Sequence, residues 1–173
     1  MIVGLLHPGE MGASVGRALQ ANGVEVLWAS EGRSEATHER ARTFRDAGTV
    51  PELASEANLL LSICPPHAAL DVARGVEGFD GVYVDANAIS PMRAAEIAAV
   101  HPRFVDGGIV GGPPDEPGTK LYLSGTGAAS VAVLFVGSNV EPRVVADASA
   151  TTRGSSFVPT KSTATDAAPG PER

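Results

Sequence analysis

The chain has 173 residues, of which 43% are hydrophobic, and its formal net charge is −7. A chain of this length can form one domain with a substantial buried core. The acidic balance, without a block of lysines or arginines, argues against nucleic acid as the main partner. No apolar stretch reaches the roughly 18 residues of a membrane helix, and no basic segment precedes the first apolar run. These two features predict a protein without a membrane partner. The single cysteine, Cys64, excludes an internal disulfide, and we therefore predict a cytoplasmic protein.

The opening residues follow the order strand, glycine-containing turn, helix. Residues 2–6 are a short apolar run typical of a buried parallel strand, and residues 13–22 resume at helical spacing. Such an order places the free N–H groups of a helix N-terminus where they can bind a phosphate. Gly9 would let a pyrophosphate approach the backbone, and Gly12 would let the helix pack closely against the strand.

The dinucleotide-binding fingerprint in this turn is incomplete. Its full pattern is G-x-G-x-x-G, and His7 stands at the position of the first glycine. Spacing alone leaves two interpretations open: a dinucleotide turn, or an ordinary strand-to-helix turn whose glycines serve backbone geometry only. His7 itself is either a phosphate contact or a surface group.

A second strand over residues 24–29 completes a strand–helix–strand unit. The loop after that strand meets the adenosine ribose in dinucleotide-binding proteins. An acid there binds the 2′-hydroxyl of NAD, whereas arginine and hydroxyl groups accommodate the 2′-phosphate of NADP. Ser30, Arg33 and Ser34 favour NADP, while Glu31 keeps NAD open. Without the glycine turn before it, this loop would be interpreted as a solvated surface loop.

The rest of the chain alternates between apolar runs and helix-sized segments. Residues 35–47 are polar and favour a surface helix. Five further strands are predicted, at residues 58–64, 81–87, 103–106, 120–125 and 142–145. This alternation predicts an α/β, Rossmann-like fold with a doubly wound, mostly parallel sheet, in which ligands bind at the carboxyl ends of the strands.

The composition changes at the end of the chain. Residues 147–173 are mainly Ala, Ser, Thr, Pro and Gly, with Phe157 as the single aromatic residue. Such a segment buries too little apolar area to offset its ordering entropy. We therefore predict one domain over residues 1–146, followed by a low-complexity, disordered tail.

Four motifs carry a resemblance to a known family. They are Gly-Glu-Met-Gly at 9–12, Leu-Ser-Ile-Cys-Pro-Pro at 61–66, Tyr-Val-Asp-Ala-Asn-Ala-Ile-Ser-Pro at 83–91, and Phe-Val-Asp-Gly-Gly-Ile-Val-Gly-Gly-Pro at 104–113. In this order they resemble the NAD(P)-binding N-terminal domain of the 6-phosphogluconate dehydrogenase and 3-hydroxyisobutyrate dehydrogenase (β-hydroxyacid dehydrogenase) superfamily. The turn is most similar to the phosphogluconate-dehydrogenase-like branch. The resemblance covers about residues 1–145.

The resemblance implies a role for each matching position. It implies cofactor contacts in the turn, in the ribose loop and in two later segments: His7, Pro8, Gly9, Glu10, Met11, Gly12, Ser30, Arg33, Ser34, Cys64, Pro65, Pro66, Asn87 and Ala88. It implies a substrate-facing loop of backbone N–H groups at Val110, Gly111 and Gly112, although relatives carry a serine at the position of Val110. No metal site is predicted, because His67 and His101 lack partners at ligand spacing.

The resemblance also implies a part that this sequence lacks. Relatives follow the sheet domain with an all-helical domain that carries a catalytic lysine, the acid–base partner that hydride transfer to a carbonyl requires. Lys120 precedes a strand and Lys161 lies in the predicted tail, so we assign no catalytic residue. A truncation or a shifted reading frame near Ala146 would explain this pattern.

Two functions are therefore expected. The first is an NAD(P)-dependent oxidoreductase of the β-hydroxyacid dehydrogenase type, with NADP preferred, NAD left open, a small-molecule substrate, and weak or no activity in the truncated chain alone. A homodimer is one option for its assembly. The second is a stand-alone nucleotide-binding module or a remnant without catalysis.

Overall fold

Residues 1–145 are described by the computed structural model of the chain, and residues 146–173 lie outside this range. The predicted tail falls in those residues, so the tail and the domain boundary stay predictions. The described part folds around one sheet. Its eight strands are β1 (Ile2–Leu5), β2 (Glu25–Trp28), β3 (Arg45–Asp46), β4 (Leu59–Ser62), β5 (Val82–Asp85), β6 (Phe104–Val110), β7 (Thr119–Ser124) and β8 (Val140–Val144).

Helices connect most of these strands. They are α1 (Glu10–Ala21), α2 (Glu35–Ala41), α3 (Val50–Glu56), α4 (Ala69–Arg74), α5 (Pro91–Val100) and α6 (Ala128–Val133), with a 3-10 turn at Pro66–Ala68 before α4. Ser34, Thr49 and Ser90 cap their helices by accepting a hydrogen bond from the N–H three residues later. Gly23 follows the end of α1 with a φ of +76°, the left-handed conformation that glycine adopts most readily.

The strands follow the order β3-β2-β1-β4-β5-β6-β7-β8. Neighbours from β3 to β6 are parallel, β7 is antiparallel to β6, and β8 is parallel to β7. The chain builds outward on one side of β1 and then, after α3, on the other side. The crevice at the carboxyl ends of β1 and β4 is therefore the switch point at which ligands bind in such sheets. This confirms the predicted Rossmann-like, doubly wound, mostly parallel architecture.

Two hydrophobic clusters lie on opposite faces of the sheet. Val3 and Leu5 of β1 belong to one cluster and Leu6 to the other, because successive side chains of a strand alternate between faces. Helix α1 packs on the first face with the residues that helical spacing selects, among them Val15 and Leu19. Each fully buried side chain of this size contributes about 1.5–3 kcal/mol relative to exposure.

The helix predicted over residues 35–47 is too long. Helix α2 ends at Ala41, and the unpredicted strand β3 follows it. Phe44 is buried between them and packs so closely under α1 that a Cβ at Gly16 would lie 2.6 Å from its ring. Arg45 then pairs with Glu25 of β2 and Glu56 of α3, at 2.7 Å each. Burial of Phe44 thus returns the chain to the sheet. The polar residues around Phe44 resemble those of a surface helix, so the strand was not predicted.

Two further boundaries differ from the prediction. Helix α1 begins at Glu10 rather than at residue 13, so half of the predicted turn is the first helical turn. Strand β6 continues to Val110 rather than ending at residue 106. Gly107 and Gly108, which indicate a turn by composition, pair with β7 instead. A hairpin partner supplies backbone hydrogen bonds regardless of side chain, and local sequence does not show that partner.

Candidate functional site

The turn between β1 and α1 lies at the switch point of the sheet. No side chain caps α1, whose flanking residue is Gly9. The Gly9 carbonyl accepts the Ala13 N–H at 2.8 Å, whereas the N–H groups of Glu10, Met11 and Gly12 have no acceptor within the described part of the chain. Three free donors at the positive end of a 12-residue helix can bind an anion.

The two glycines of this turn differ in whether packing requires a glycine at that position. A Cβ at Gly12 would overlap the carbonyl oxygen of His7, so the contact between helix α1 and the turn that precedes it requires glycine there. A Cβ at Gly9 would meet no atom within 4 Å, and its φ of −67° suits any residue. Neither packing nor backbone conformation requires glycine at residue 9. The free space beside Gly9 is where a phosphate would approach the backbone.

His7 replaces the first glycine of the fingerprint without backbone strain, since no residue other than glycine has a positive φ among residues 1–145. Its Nδ1 is buried without a hydrogen-bond partner. Burial and the neighbouring charge of Arg33 lower the pKa of His7 to about 4. His7 is therefore neither a surface group nor a positive charge for a phosphate. It is a half-buried, neutral ring at the turn.

This burial predicts a pH-dependent stability. The unfolded chain binds a proton on His7 near pH 6.5, but the folded chain resists it until about pH 4. The contribution is present above pH 6.5, and we expect a loss of up to about 3 kcal/mol in the free energy of unfolding as pH falls through this range. Urea unfolding from pH 7 to pH 4 measures it. His7→Gln should make the profile less steep, and the remaining slope comes from His101, whose pKa burial also lowers, and from carboxyl groups such as Asp46, whose pKa is held below its ordinary value. An unchanged slope in His7→Gln would contradict this assignment.

Two arginines lie against the turn. Arg33 Nη2 donates to the Leu6 carbonyl at 3.0 Å, and Arg40 Nε donates to the Pro8 carbonyl at 3.3 Å. Their guanidinium groups thus bring two positive charges next to the free N–H donors of α1. The combination is more favourable for a multiply charged anion than a helix N-terminus alone.

Arg40 and Thr37 are site residues that sequence reasoning missed. Arg40 Nη2 donates to Thr37 Oγ1 at 3.1 Å, and that hydroxyl lies 3.1 Å from Ser34 Oγ. The polar composition of residues 35–47 suggested only a solvated helix face. The available signal was the spacing of three residues from Ser34 to Thr37 and again to Arg40, which places all three on one side of the helix.

Ser30, at the end of β2, is held by β3. Its backbone and hydroxyl hydrogen-bond to the carboxylate of Asp46, and the Gly48 N–H donates to the same carboxylate at 2.8 Å. Burial alone would raise the pKa of Asp46, but these bonds hold it below its ordinary value. An acid therefore lies beside the ribose loop, and sequence analysis missed it because it belongs to the unpredicted strand.

The segments after β4 and β5 meet at the same edge of the sheet. Asn87 is buried and its Oδ1 accepts the Cys64 N–H at 2.6 Å. Pro65, Pro66 and Ala88 are exposed next to this contact. The structure thus brings together the two segments that the resemblance assigned to the cofactor path. Their role in binding stays a prediction.

The connection from β6 to β7 carries the predicted substrate loop. Val110 is the last residue of β6, opposite Lys120, and is 57% exposed. Gly111 has a φ of +120°, which requires glycine, and Thr119 Oγ1 donates to the Gly112 carbonyl at 2.6 Å. Only Gly111 and Gly112 therefore lie in the connection itself. The substrate role of these residues stays a prediction.

Asp115 ties this connection to α1. Its Oδ1 accepts hydrogen bonds from Ser14 Oγ and Arg17 Nη2, both at 2.8 Å. Asn139 Nδ2 holds the same segment by donating to the carbonyls of Pro114 and Asp115, both at 3.2 Å. The predicted substrate loop is thereby fixed against the helix whose N-terminus carries the free N–H groups. Sequence reasoning missed this contact, which joins residues 101 positions apart.

None of the helices in residues 1–145 combines the length and apolarity needed to cross a membrane. In the same range, no three His, Cys, Asp or Glu side chains are grouped so as to hold a metal ion. His101 is buried, stacks on Tyr83 with 4.2 Å between ring centroids, and bonds the Ala73 carbonyl through Nε2 at 2.9 Å.

The sheet order and the strand–turn–helix unit define a Rossmann-like α/β protein. No protein-family model and no curated protein matches the sequence. Solved structures do match. The conserved protein MTH1747, described as structurally similar to 3-hydroxyacid dehydrogenases, is 30% identical with a TM-score of 0.73, over 83% of this chain and 57% of that one.

Two enzymes of known activity share the fold. The 3-hydroxyisobutyrate dehydrogenase of Mycobacterium tuberculosis is 16% identical with a TM-score of 0.67, over 84% of this chain and 53% of that one. A reductive aminase of Aspergillus terreus, solved with NADPH and ethyl-5-oxohexanoate, is 18% identical with a TM-score of 0.67, over 84% and 55%. The chain spans just over half the length of each. The structural neighbours are 3-hydroxyacid dehydrogenase-like, which confirms the resemblance.

Proposed function

We propose that residues 1–145 bind a nicotinamide dinucleotide and act as the cofactor-binding part of an oxidoreductase of the 3-hydroxyacid dehydrogenase type. Gly9 is the observation that carries this proposal. It is a glycine that neither packing nor backbone conformation requires, at a helix N-terminus with three free N–H donors. The neighbour solved with NADPH supports a cofactor of this class.

The described residues fit such a cofactor in one orientation, with its adenosine half beside the end of β2 and its nicotinamide half beside the ends of β4 and β5. The N–H groups of residues 10–12 would hold the pyrophosphate, and the loop from Ser30 to Ser34 would hold the adenosine ribose. The segments around Cys64 and Asn87 would then line the nicotinamide half. When bound, the nicotinamide ring supplies or accepts a hydride. The residues of this chain bind and orient it, and the connection with Gly111 and Gly112 would face a small-molecule substrate.

NADP is the preferred form in this proposal. Arg33 and Arg40 bring two positive charges to the loop from Ser30 to Ser34, and Arg40 forms a hydrogen-bonded group with the hydroxyls of Thr37 and Ser34. A 2′-phosphate can accept charge-assisted hydrogen bonds from such a group, whereas a 2′-hydroxyl gains little from it. Glu31 is exposed and is the residue that would favour NAD instead.

Calorimetric titration with NADPH and with NADH tests the proposal. We expect NADPH to bind in the micromolar range and more tightly than NADH. Arg33→Ala should weaken NADPH binding about tenfold, with a smaller loss in Arg40→Ala and little change for NADH. Arg103→Ala, at an exposed arginine outside this site, is the control. Binding of neither nucleotide by the folded chain would refute the proposed function, and equal losses for both nucleotides would refute the preference for NADP.

A nucleotide-binding module without catalysis is the second candidate. The observation that favours it is that Lys120, the one lysine among residues 1–145, is exposed on a strand opposite Val110 rather than placed on a helix. Tight NADPH binding without turnover of hydroxyacids or imines would support this candidate. The cytoplasmic location rests on the single cysteine and the homodimer on the resemblance alone, and both are proposals.

A further inference from the structure

A buried polar network joins the ends of β4 and β5. Asp85 is fully buried at the end of β5, and its carboxylate accepts the Asn87 N–H and Asn87 Nδ2, both at 3.0 Å. The same Nδ2 lies 3.3 Å from Ser62 Oγ and 3.5 Å from Cys64 Sγ. Asn87 Oδ1 accepts the Cys64 N–H at 2.6 Å. Every polar atom of the Asn87 side chain is therefore engaged within the protein.

The carboxylate of Asp85 decides which way the Asn87 amide faces. Burial raises the pKa of Asp85, and the two hydrogen bonds from Asn87 oppose that rise by favouring the ionised form. An ionised carboxylate can only accept hydrogen bonds, so it selects the orientation in which Nδ2 faces Asp85. The Oδ1 atom is then left facing the Cys64 N–H, which needs an acceptor because the chain leaves β4 there. With the opposite orientation, two oxygens would face each other and two N–H groups would do the same. The buried acid thus specifies the position of the segment that begins at Cys64.

We propose that Asp85 is a positioning residue for the nicotinamide half of the cofactor site. Acting through Asn87, it holds the Cys64–Pro66 segment at the distance from α1 that a dinucleotide needs. This inference rests on the proposed function, since the segment matters for binding only if a nicotinamide dinucleotide occupies the crevice. It assigns Asp85 no contact with the cofactor and no part in proton transfer.

Cys64 makes the proposal measurable, because it is the only cysteine in the chain. The rate at which a thiol reagent modifies the protein therefore reports on this segment alone. In the wild-type chain the half-buried thiol should react slowly, since burial raises the pKa of Cys64. NADPH should slow the reaction further. Adenosine 2′,5′-bisphosphate, which has no nicotinamide half, should not.

The decisive variant is Asp85→Asn, which keeps the size of the side chain and removes the acceptor-only carboxylate. We expect Cys64 to react about tenfold faster, and NADPH to bind about tenfold more weakly, because a buried hydrogen-bond network is broken. Affinity for adenosine 2′,5′-bisphosphate should stay within about twofold, since a change confined to the nicotinamide half leaves its site intact. Asp71→Asn, an exposed acid on α4 with the same change in net charge, is the matched control.

A second variant distinguishes the proposed positioning role from a general loss of the fold. Asn87→Ala removes the same link from its other end, and combining it with Asp85→Asn should add little if the two residues act as one unit. Equal weakening of NADPH and adenosine 2′,5′-bisphosphate would overturn the proposal, because it would mark a general structural role. Unchanged thiol reactivity in both variants would overturn it as well. If the wild-type chain binds neither ligand, the proposed function fails, and this outcome is distinct from either result in the variants.

Discussion

Replacing Gly12 with alanine is expected to lower the free energy of unfolding by roughly 2 kcal/mol and to abolish nucleotide binding. Gly12 lies in the first turn of α1, and a Cβ there would overlap the carbonyl oxygen of His7. That oxygen belongs to the backbone and also accepts the Gly9 N–H at 2.9 Å, so it cannot move without opening the turn. Alanine is the better helix former by about 1 kcal/mol, which offsets part of the cost.

Urea unfolding and NADPH titration measure the two effects. Gly75→Ala is the matched control, since Gly75 ends α4 with a φ of −62° and a Cβ there would only reach ordinary contact at 3.4 Å. It should leave both properties unchanged. A Gly12→Ala chain as stable as the wild type would show that the turn and helix tolerate a wider separation than the contact indicates.

Replacing Gly9 with alanine is expected to weaken nucleotide binding while leaving stability almost unchanged. Stability should change by less than about 0.5 kcal/mol, because the new methyl group meets no atom within 4 Å and the backbone conformation suits alanine. Affinity for NADPH should fall at least about tenfold, because the methyl group would occupy the space through which a pyrophosphate approaches the N–H donors of residues 10–12.

The comparison of Gly12→Ala with Gly9→Ala separates effects on the stability of the fold from effects on nucleotide binding. The same titration and unfolding experiments apply to both, with Gly75→Ala as the shared control. If Gly9→Ala binds NADPH as tightly as the wild type, the phosphate does not approach at this turn, and the proposed position of the cofactor is wrong. A large loss of stability in Gly9→Ala would mean instead that the turn is packed by contacts beyond those seen here.

The elements that sequence analysis predicted well are the ones with a strong local pattern. Residues 2–6 and 58–64 are continuous apolar runs, and the Val15, Ala18 and Leu19 spacing of α1 places one apolar face on the sheet. The alternation of strands and helices predicted a doubly wound, mostly parallel sheet, and the structure supplied the order of its strands. The order of strand, turn and helix around Gly9 was also predicted and is present between β1 and α1, while the binding roles of this turn and of Arg33 stay predictions.

The predictions failed or were incomplete where a contact joins residues distant in sequence. Strand β3 depends on Phe44 packing under α1, and the length of β6 depends on its pairing with β7. Arg40 of α2 donates to the Pro8 carbonyl across 32 residues of sequence. In each case a short polar or glycine-rich segment suggested one local structure, and a partner from elsewhere in the chain selected another.

The sequence by itself determined every strand except β3, the alternation of strands with helices and the residue types available at the carboxyl edge, because periodicity and glycine spacing are local properties. Only the tertiary structure decided which of their polar atoms are paired and which are free. Asn87 illustrates this, since its amide is engaged by Asp85 and Cys64, whereas the N–H groups of residues 10–12 remain without acceptors. Hydrogen bonding depends on distances of about 3 Å between atoms, and packing alone sets such distances across the fold.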